Sequence, residues 1–327
     1  MVSGVTPSQK LPGSALYINS YYLSKKYFIN ISNLLFMKKY LVTGGAGFVG
    51  SNLIKKLVKK RDIQIISLDN YSSGSKYNHV IDKKVKYFKG NTANVDKILN
   101  NQKIDLVFHF GEFSRIYQSF KKLEQCSNSN LIGTTKIVNF CLKRNIPIFY
   151  SGSSSIFGNR FRDENLSPYA WTKSKGIEMI KNYSKWFGLK YIIAYFYNVY
   201  GPGQIESGDM SAVVGIFENL YKKNKPLTVV KPGNYKRDFT HVEDIINACN
   251  LALKEKYNKE YRFGNGELIT ILNLAKLFNR KIKMIPKRKG ERFGQSARNN
   301  NGFKKLNYKP KYNIRDYISN FIEENKK

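Results

Sequence analysis

Apolar and polar positions over residues 38–200 alternate in a two-part rhythm. Short apolar runs at 40–43, 62–68, 85–88, 104–109, 146–150 and 190–196 have the length and continuity of strands buried on both faces. Between them, apolar residues recur every three or four positions. In the first such stretch Leu53, Ile54, Leu57 and Val58 form one stripe, and Lys55, Lys56, Lys59 and Lys60 form a solvated one. Residues 131–143 and 169–187 carry the longest helical patterns. Strands that alternate with helices predict an α/β fold built on a doubly wound parallel sheet. From Gly201 the rhythm breaks into Gly- and Pro-rich loops, with helical stretches at 213–222, 242–253 and 271–278. This shift predicts a smaller, partly interleaved C-terminal lobe, with the chain divided into 37–198 and 199–327. Residues 1–36 hold no acidic residue and no arginine. They read as a disordered extension or an artefact of start-site choice, with Met37 opening the functional protein. A targeting peptide is the minor alternative, and the basic start, apolar middle and small-residue site of a secretory signal are missing.

The turn after the first run carries the first chemistry. Tyr40-Leu-Val-Thr43 leads into Gly44-Gly45-Ala46-Gly47-Phe48-Val49-Gly50, and a helical period follows at once. Gly44, Gly47 and Gly50 stand three apart, and Gly45, Gly47 and Gly50 satisfy the older dinucleotide spacing. Glycine serves where the backbone turns tightly and where a phosphate must approach the helix N-terminus. Asp69 ends the second run, 25 residues past Gly44. A carboxylate there can accept the adenosine ribose hydroxyls and would repel a 2′-phosphate, which favours NAD over NADP. Asn70 and Tyr71 open the turn that follows. The predicted fold is therefore a Rossmann-like sheet, with residues 37–198 as its NAD-binding domain.

Composition changes the picture little. Hydrophobic residues make up 42% of the chain, enough for a core, and no apolar run approaches the ~18 residues of a membrane span. Cys126, Cys141 and Cys249 lie far apart without a CxxC, so disulfides and zinc are not expected and a reducing cytoplasm is. His79, His109 and His241 are too scattered for a metal centre. The net charge of +33 invites a nucleic-acid partner. Yet 44 of the 56 basic residues are lysines strewn as doublets, which argues for a solvated surface rather than a nucleic-acid site.

A tyrosine and a lysine four apart share one helix face, where the ammonium can help the phenol act as a base. With 23 tyrosines and 44 lysines in 327 residues, about three such pairs arise by chance, and five occur. Position separates one from the rest. Tyr169 and Lys173 open the helical stretch that follows the Ser151-Gly-Ser153-Ser154-Ser155 loop, at the carboxyl end of a strand, where doubly wound sheets bind ligands. Further motifs follow in order: Asn130-x-x-Gly-Thr134, Phe196-Tyr-Asn198-Val-Tyr-Gly-Pro202, Arg237-Asp-Phe-Thr-His-Val-Glu-Asp244 and Arg288-Lys-Gly-Glu291.

Over about residues 38–325 the chain thus resembles the extended short-chain dehydrogenases/reductases, and specifically their nucleoside-diphosphate-sugar epimerases. The resemblance implies that Gly44, Gly47, Phe48, Val49, Gly50, Asp69, Asn70, Asn91, Phe110 and Gly111 bind NAD, together with Tyr169 and Lys173. It implies that Tyr169 takes a proton from a sugar hydroxyl, usually at C4, while hydride passes to NAD. Lys173 would hold the nicotinamide ribose and tune Tyr169, and Ser153 would hydrogen-bond the reacting oxygen. Asn198, Arg237 and Arg288 would bind the sugar nucleotide, making 199–327 the substrate lobe. Hydride returned to the other face of the keto-sugar would complete an epimerisation and regenerate NAD in place.

The 4,6-dehydratases of the family place Asp-Glu after the Ser/Thr, and here Ser154 and Ser155 stand there. A 4-epimerase is the expected activity, with a dehydratase, a 6-epimerase or a ketoreductase as alternatives inside the family. Outside it, the rival is a non-catalytic NAD- or RNA-binding Rossmann protein. A homodimer through residues 131–143 and 169–187 is expected by analogy. Several positions depart from the family pattern: Asn91 replaces an aspartate near the adenine, Glu112 a small residue and Arg298 an aspartate. The loop from Gly158 to Tyr169 is short, and Gln295 falls near the position that gates N-acetylated sugars.

Overall fold

The computed structural model describes residues 37–157, 165–291 and 304–326. Residues 1–36, the Gly158 end of the short loop, Gln295 and Arg298 lie outside them. The strands are β1 (Lys38–Thr43), β2 (Ile63–Asp69), β3 (Val85–Lys89), β4 (Leu106–His109), β5 (Ile148–Ser153), β6 (Tyr191–Phe196), β7 (Val199–Tyr200), β8 (Leu227–Val230), β9 (Lys236–Asp238), β10 (Thr240–His241), β11 (Lys259–Phe263), β12 (Leu268–Thr270) and β13 (Ile282–Ile285). The helices are α1 (Phe48–Leu57), α2 (Val95–Leu99), α3 (Ile116–Lys121), α4 (Leu123–Ser127), α5 (Thr134–Lys143), α6 (Pro168–Phe187), α7 (Val213–Lys222), α8 (Val242–Ala252), α9 (Ile271–Lys276) and α10 (Ile314–Glu324).

A parallel seven-stranded sheet in the order β11-β6-β5-β4-β1-β2-β3 organises the site. The order reverses between β1 and β4, whose last residues Thr43 and His109 pair side by side. A ligand-binding crevice opens at such a reversal, beyond the carboxyl ends of the strands. Helices cover both faces. On one, Ile137, Val138, Phe140 and Cys141 of α5 and Ile177 and Ile180 of α6 pack against alternate strand residues. On the other, Leu53, Ile54 and Leu57 of α1 meet Val242, Ile245, Ile246 and Cys249 of α8. Leu53, Ile54 and Leu57 are fully buried, each contributing about 1.5–3 kcal/mol of transfer free energy.

The seventh strand comes from beyond residue 198, so the chain leaves the sheet after β6 and returns to it through α8 and β11. The remaining strands form three short pairs: β7 with β10, β9 with β12, and β8 with β13. Their apolar residues join α7, α9 and α10 in a separate cluster around Phe217, Phe278 and Phe321.

Two expected elements differ in detail. The 131–143 helix begins as a π-turn over Asn128–Gly133 before α5. The fifth strand runs on to Ser153, which pairs with Phe196 of β6. No helix among the described residues is long and apolar enough to cross a membrane.

Candidate active site

The β1–α1 turn is built for close backbone approach. Gly44 has φ +70°, and a Cβ there would meet Gly111 Cα at 2.8 Å. A Cβ on Gly50 would lie 2.2 Å from the Gly44 carbonyl oxygen. Gly47 is the N-cap of α1 and no side chain caps that helix end, so the first amides, with Phe48 and Val49, remain available to an anion. Gly45, from the older spacing, packs inward instead, with Ser67 Oγ 2.3 Å from its Cβ position.

Asp69 secures this turn. Its Oδ2 accepts the Ala46 amide at 2.9 Å and its Oδ1 the Tyr71 amide at 2.8 Å. Burial pushes its carboxyl upward in pKa, against these amide bonds. With the Gly47 amide as a third donor, the four lone-pair sites of the carboxylate still leave room for a hydroxyl. Beside it, Asn70 Nδ2 donates to Asn91 Oδ1 at 2.7 Å.

Tyr169 stands in the first turn of α6. Ser167 caps that helix, accepting the Ala170 amide at 3.1 Å, and Pro168 supplies a preset φ at its start. The Tyr169 amide donates to Ser119 Oγ at 3.1 Å, and its side chain hydrogen-bonds Ser153. Burial pushes the phenol up to about 12; the Ser153 bond and the Arg115 charge pull it down, while Glu112 raises it. One turn on, Lys173 Nζ donates to Glu112 Oε2 and to the Ser151 carbonyl. Ser153 Oγ is 2.9 Å from Ser155 Oγ.

The far end belongs to the later chain. Asn198 has φ 26° and its Nδ2 donates to the Asp238 carbonyl at 2.8 Å. Arg237 Nη2 meets Glu291 Oε2 at 3.3 Å. The Arg288 guanidinium sits 5.1 Å from the Tyr117 ring centroid. Every residue expected to bind cofactor or substrate, together with Ser153, Tyr169 and Lys173, lines one cavity of about 1090 Å³. Of the Arg237–Asp244 motif, Arg237 and Phe239 line it. Asp238 instead accepts the Asn265 and Gly266 amides, His241 caps α8, and Asp244 accepts the Lys311 and Tyr312 amides.

Sequence reasoning missed Arg115. Its Nε donates to the Met210 carbonyl at 2.7 Å and its Nη1 to the Ser114 carbonyl at 2.8 Å. Burial lowers its pKa and the Tyr169 phenol opposes that. Its place just past the carboxyl end of β4 was the signal available. Asn130 of the Asn-x-x-Gly-Thr motif is a tie instead: it bonds both backbone groups of Phe113, and its Nδ2 also donates to Thr172 Oγ1 at 3.1 Å.

A switch-point crevice with an uncapped helix end, a buried carboxylate closing the second strand and a Ser-Tyr-Lys cluster is the arrangement of an extended short-chain dehydrogenase/reductase. The comparisons narrow this. The sequence model of the NAD-dependent epimerase/dehydratase family matches residues 40–264, and the chain belongs to that family of enzymes, whose cofactor is NAD. A protein of Methanocaldococcus jannaschii described as a putative UDP-glucose 4-epimerase is 31% identical over 254 residues, covering 74% of this chain and 82% of its own. A dTDP-D-glucose 4,6-dehydratase of Dictyostelium discoideum is 27% identical; that match covers 76% of this chain but only 63% of the relative's length. Among solved structures, the Thermus thermophilus UDP-glucose 4-epimerase complexed with NAD superposes with TM-score 0.75 at 25% identity, over 86% of this chain and 98% of that one. The UDP-N-acetylglucosamine 4-epimerase of Methanobrevibacter ruminantium, in complex with UDP-N-acetylmuramic acid, gives 0.79 at 25%, over 88% and 99%.

Proposed function

We propose that this protein epimerises a nucleoside-diphosphate sugar at C4 through a 4-keto intermediate, with NAD regenerated in place. One observation carries the reading: Ser153, Tyr169 and Lys173 meet at the carboxyl end of the sheet, in the cavity that also holds Arg237 and Arg288. NAD, when bound, supplies the hydride acceptor and a positive charge beside Tyr169. The glycine turn and the α1 amides hold the pyrophosphate, and Asp69 and the Asn70–Asn91 pair hold the adenosine end. Phe110 and Gly111, which line the same cavity, would also hold the cofactor. Tyr169 Oη takes the proton of the reacting hydroxyl and returns it after the sugar has turned. Ser153 Oγ bonds the reacting oxygen through both steps, and Lys173 Nζ grips the ribose. Arg237 and Arg288 clamp the sugar-nucleotide pyrophosphate, and Asn198 orients it.

Water elimination by a dehydratase needs an acid and a base beside the sugar. Ser154 and Ser155 follow Ser153 here, and Glu112 is engaged by Lys173, Tyr150 and Thr134. That favours the epimerase. The protein acts as a cytoplasmic homodimer: Cys126, Cys141 and Cys249 are free and buried, which suits a reducing compartment. Ile132 and Trp171, on the two segments expected to pair, are 50% and 41% exposed.

Purified protein incubated with UDP-, GDP-, ADP- and CDP-sugars, with no added reductant, should convert one of them to its epimer in a proton NMR spectrum. An unsaturated or 6-deoxy product would favour the dehydratase. No conversion across the panel, with tight RNA binding at physiological salt, would favour the non-catalytic rival.

A further inference from the structure

Glu112 stands where the resemblance implies a small residue, and it is buried against the lysine that the proposed reaction uses. The two side chains are each 3% exposed. Lys173 Nζ donates to Glu112 Oε2 and to the Ser151 carbonyl, and lies 4.2 Å from the Tyr150 ring centroid. An ammonium has three donors, so one N–H remains for a ligand hydroxyl.

The other carboxylate oxygen terminates a chain of donors. Glu112 Oε1 accepts from the Tyr150 hydroxyl at 2.9 Å and the Thr134 hydroxyl at 3.0 Å. Thr134 Oγ1 is 3.0 Å from His109 Nε2, and His109 Nδ1 is 2.7 Å from Thr43 Oγ1. Thr43 Oγ1 already accepts the Phe110 and Gly111 amides at 3.1 and 3.0 Å. Its own proton therefore goes to His109 Nδ1, which leaves the proton of the neutral ring on Nε2, aimed at Thr134. Each group along this path donates toward Glu112, the arrangement that suits a carboxylate.

We propose that Glu112 is a positioning residue for Lys173, keeping it an ammonium aimed at the nicotinamide ribose throughout the pH range in which the enzyme works. The proposal rests on the reading that Lys173 contacts the cofactor. Burial drives Lys173 toward the neutral amine, and Glu112 is the largest opposing influence. The groups that face the pair are His109 at the end of β4, Tyr150 of β5, Cys126 of α4 and Tyr169 of α6. Burial holds His109 neutral and raises the Cys126 thiol and both phenols. That leaves Glu112 as the carboxylate among them.

Glu112→Gln keeps the shape and removes the charge. NADH binding to the wild-type protein, followed by cofactor fluorescence from pH 6 to 9, should change by less than about twofold. In Glu112→Gln it should weaken by about tenfold across that range, as a charged donor becomes a neutral amine. A variant whose affinity stays as flat as wild type overturns the proposal, because a purely structural role would not respond to pH. Wild-type protein that fails to bind NADH at any pH would instead overturn the cofactor reading beneath it. If Glu112→Gln does not fold, the 13Cε NMR signal of Lys173 in wild type, identified by its loss in Lys173→Arg, decides. A signal at the ammonium position up to pH 9 supports the pairing, and a move to the amine position within that range overturns it.

Discussion

Replacing Tyr169 by phenylalanine separates chemistry from folding more sharply than any other single change. The placement of this residue depends on the Ser167 cap, on Pro168 and on the bond from its amide to Ser119 Oγ, none of which involves the phenol oxygen. The ring stays, and the hydroxyl gives up its hydrogen bond to Ser153. Loss of that bond costs about 1 kcal/mol, which lowers the melting temperature by only about 1–2 °C in a chain of this size. The catalytic loss is far larger. A positioned base contributes about 10²–10⁴ in rate, equivalent to about 3–5 kcal/mol in the barrier. Burial holds the phenol up near 12 in the cofactor-free protein, so wild-type turnover should rise with pH as the base form grows. The phenylalanine variant's residual turnover should lack that rise. Initial rates by NMR at pH 6, 7, 8 and 9, beside a thermal melt, give both quantities from one preparation. Tyr221→Phe, which alters another Tyr-x-x-x-Lys pair and lies outside the cavity, serves as the control for hydroxyl loss. A Tyr169→Phe protein that keeps more than about a tenth of the wild-type rate, with its melt unchanged, refutes the assignment of the base.

Three further outcomes test the rest of the site. Gly50→Ala forces a Cβ to within 2.2 Å of the Gly44 carbonyl oxygen; the turn must move, and NADH affinity by fluorescence should fall at least about tenfold. Arg237→Ala and Arg288→Ala should each raise KM for the sugar nucleotide about ten- to a hundredfold while kcat changes little, because a pyrophosphate clamp binds substrate and transition state alike. His109 is fully buried and pushed down to about 4. The unfolded chain takes up that proton near pH 6.5. Stability should therefore fall as pH drops from about 6.5 to 4, by up to about 3 kcal/mol. Urea denaturation at pH 7 and 4.5 measures the loss, and His109→Gln should remove part of its pH dependence.

The parts of the fold that were legible are those in which local pattern and burial agree. Strands flanked by helices on both faces are continuous apolar runs, and six of the seven central strands read that way. The seventh, Lys259-Glu-Tyr-Arg-Phe263, lies at the sheet edge beside β6, with Tyr261 and Phe263 buried, Lys259 exposed, and Glu260 and Arg262 half-buried against Tyr195 and Phe157. Its charges resemble those of a loop, and it falls where the strand–helix rhythm has already broken. The π-turn over Asn128–Gly133 was equally hidden, since no periodicity announces one extra residue in a turn. Gly133 marks the place only in three dimensions, where a Cβ would meet Thr92 Oγ1 at 2.2 Å.

The expected site residues divide along the same line. Those carried by a turn or a helix register, such as Gly44, Gly50, Asp69, Tyr169 and Lys173, could be placed from spacing and family order. What spacing could not show is how charge is balanced around them. The chain carries +33 overall, yet inside the cavity Lys173 is matched by Glu112 and Arg237 meets Glu291. Arg115 is held by the carbonyl oxygens of Met210 and Ser114 and meets no carboxylate within ion-pair distance among the described residues. Its charge therefore falls on Tyr169 and lowers the phenol that Glu112 raises. In a low-dielectric crevice an unmatched charge outweighs many solvated lysines on the surface. The ionisation of Tyr169 is thus set first by burial and the Ser153 bond and then by two neighbouring residues, Glu112 and Arg115, that the glycine turn and the Tyr-x-x-x-Lys spacing do not identify.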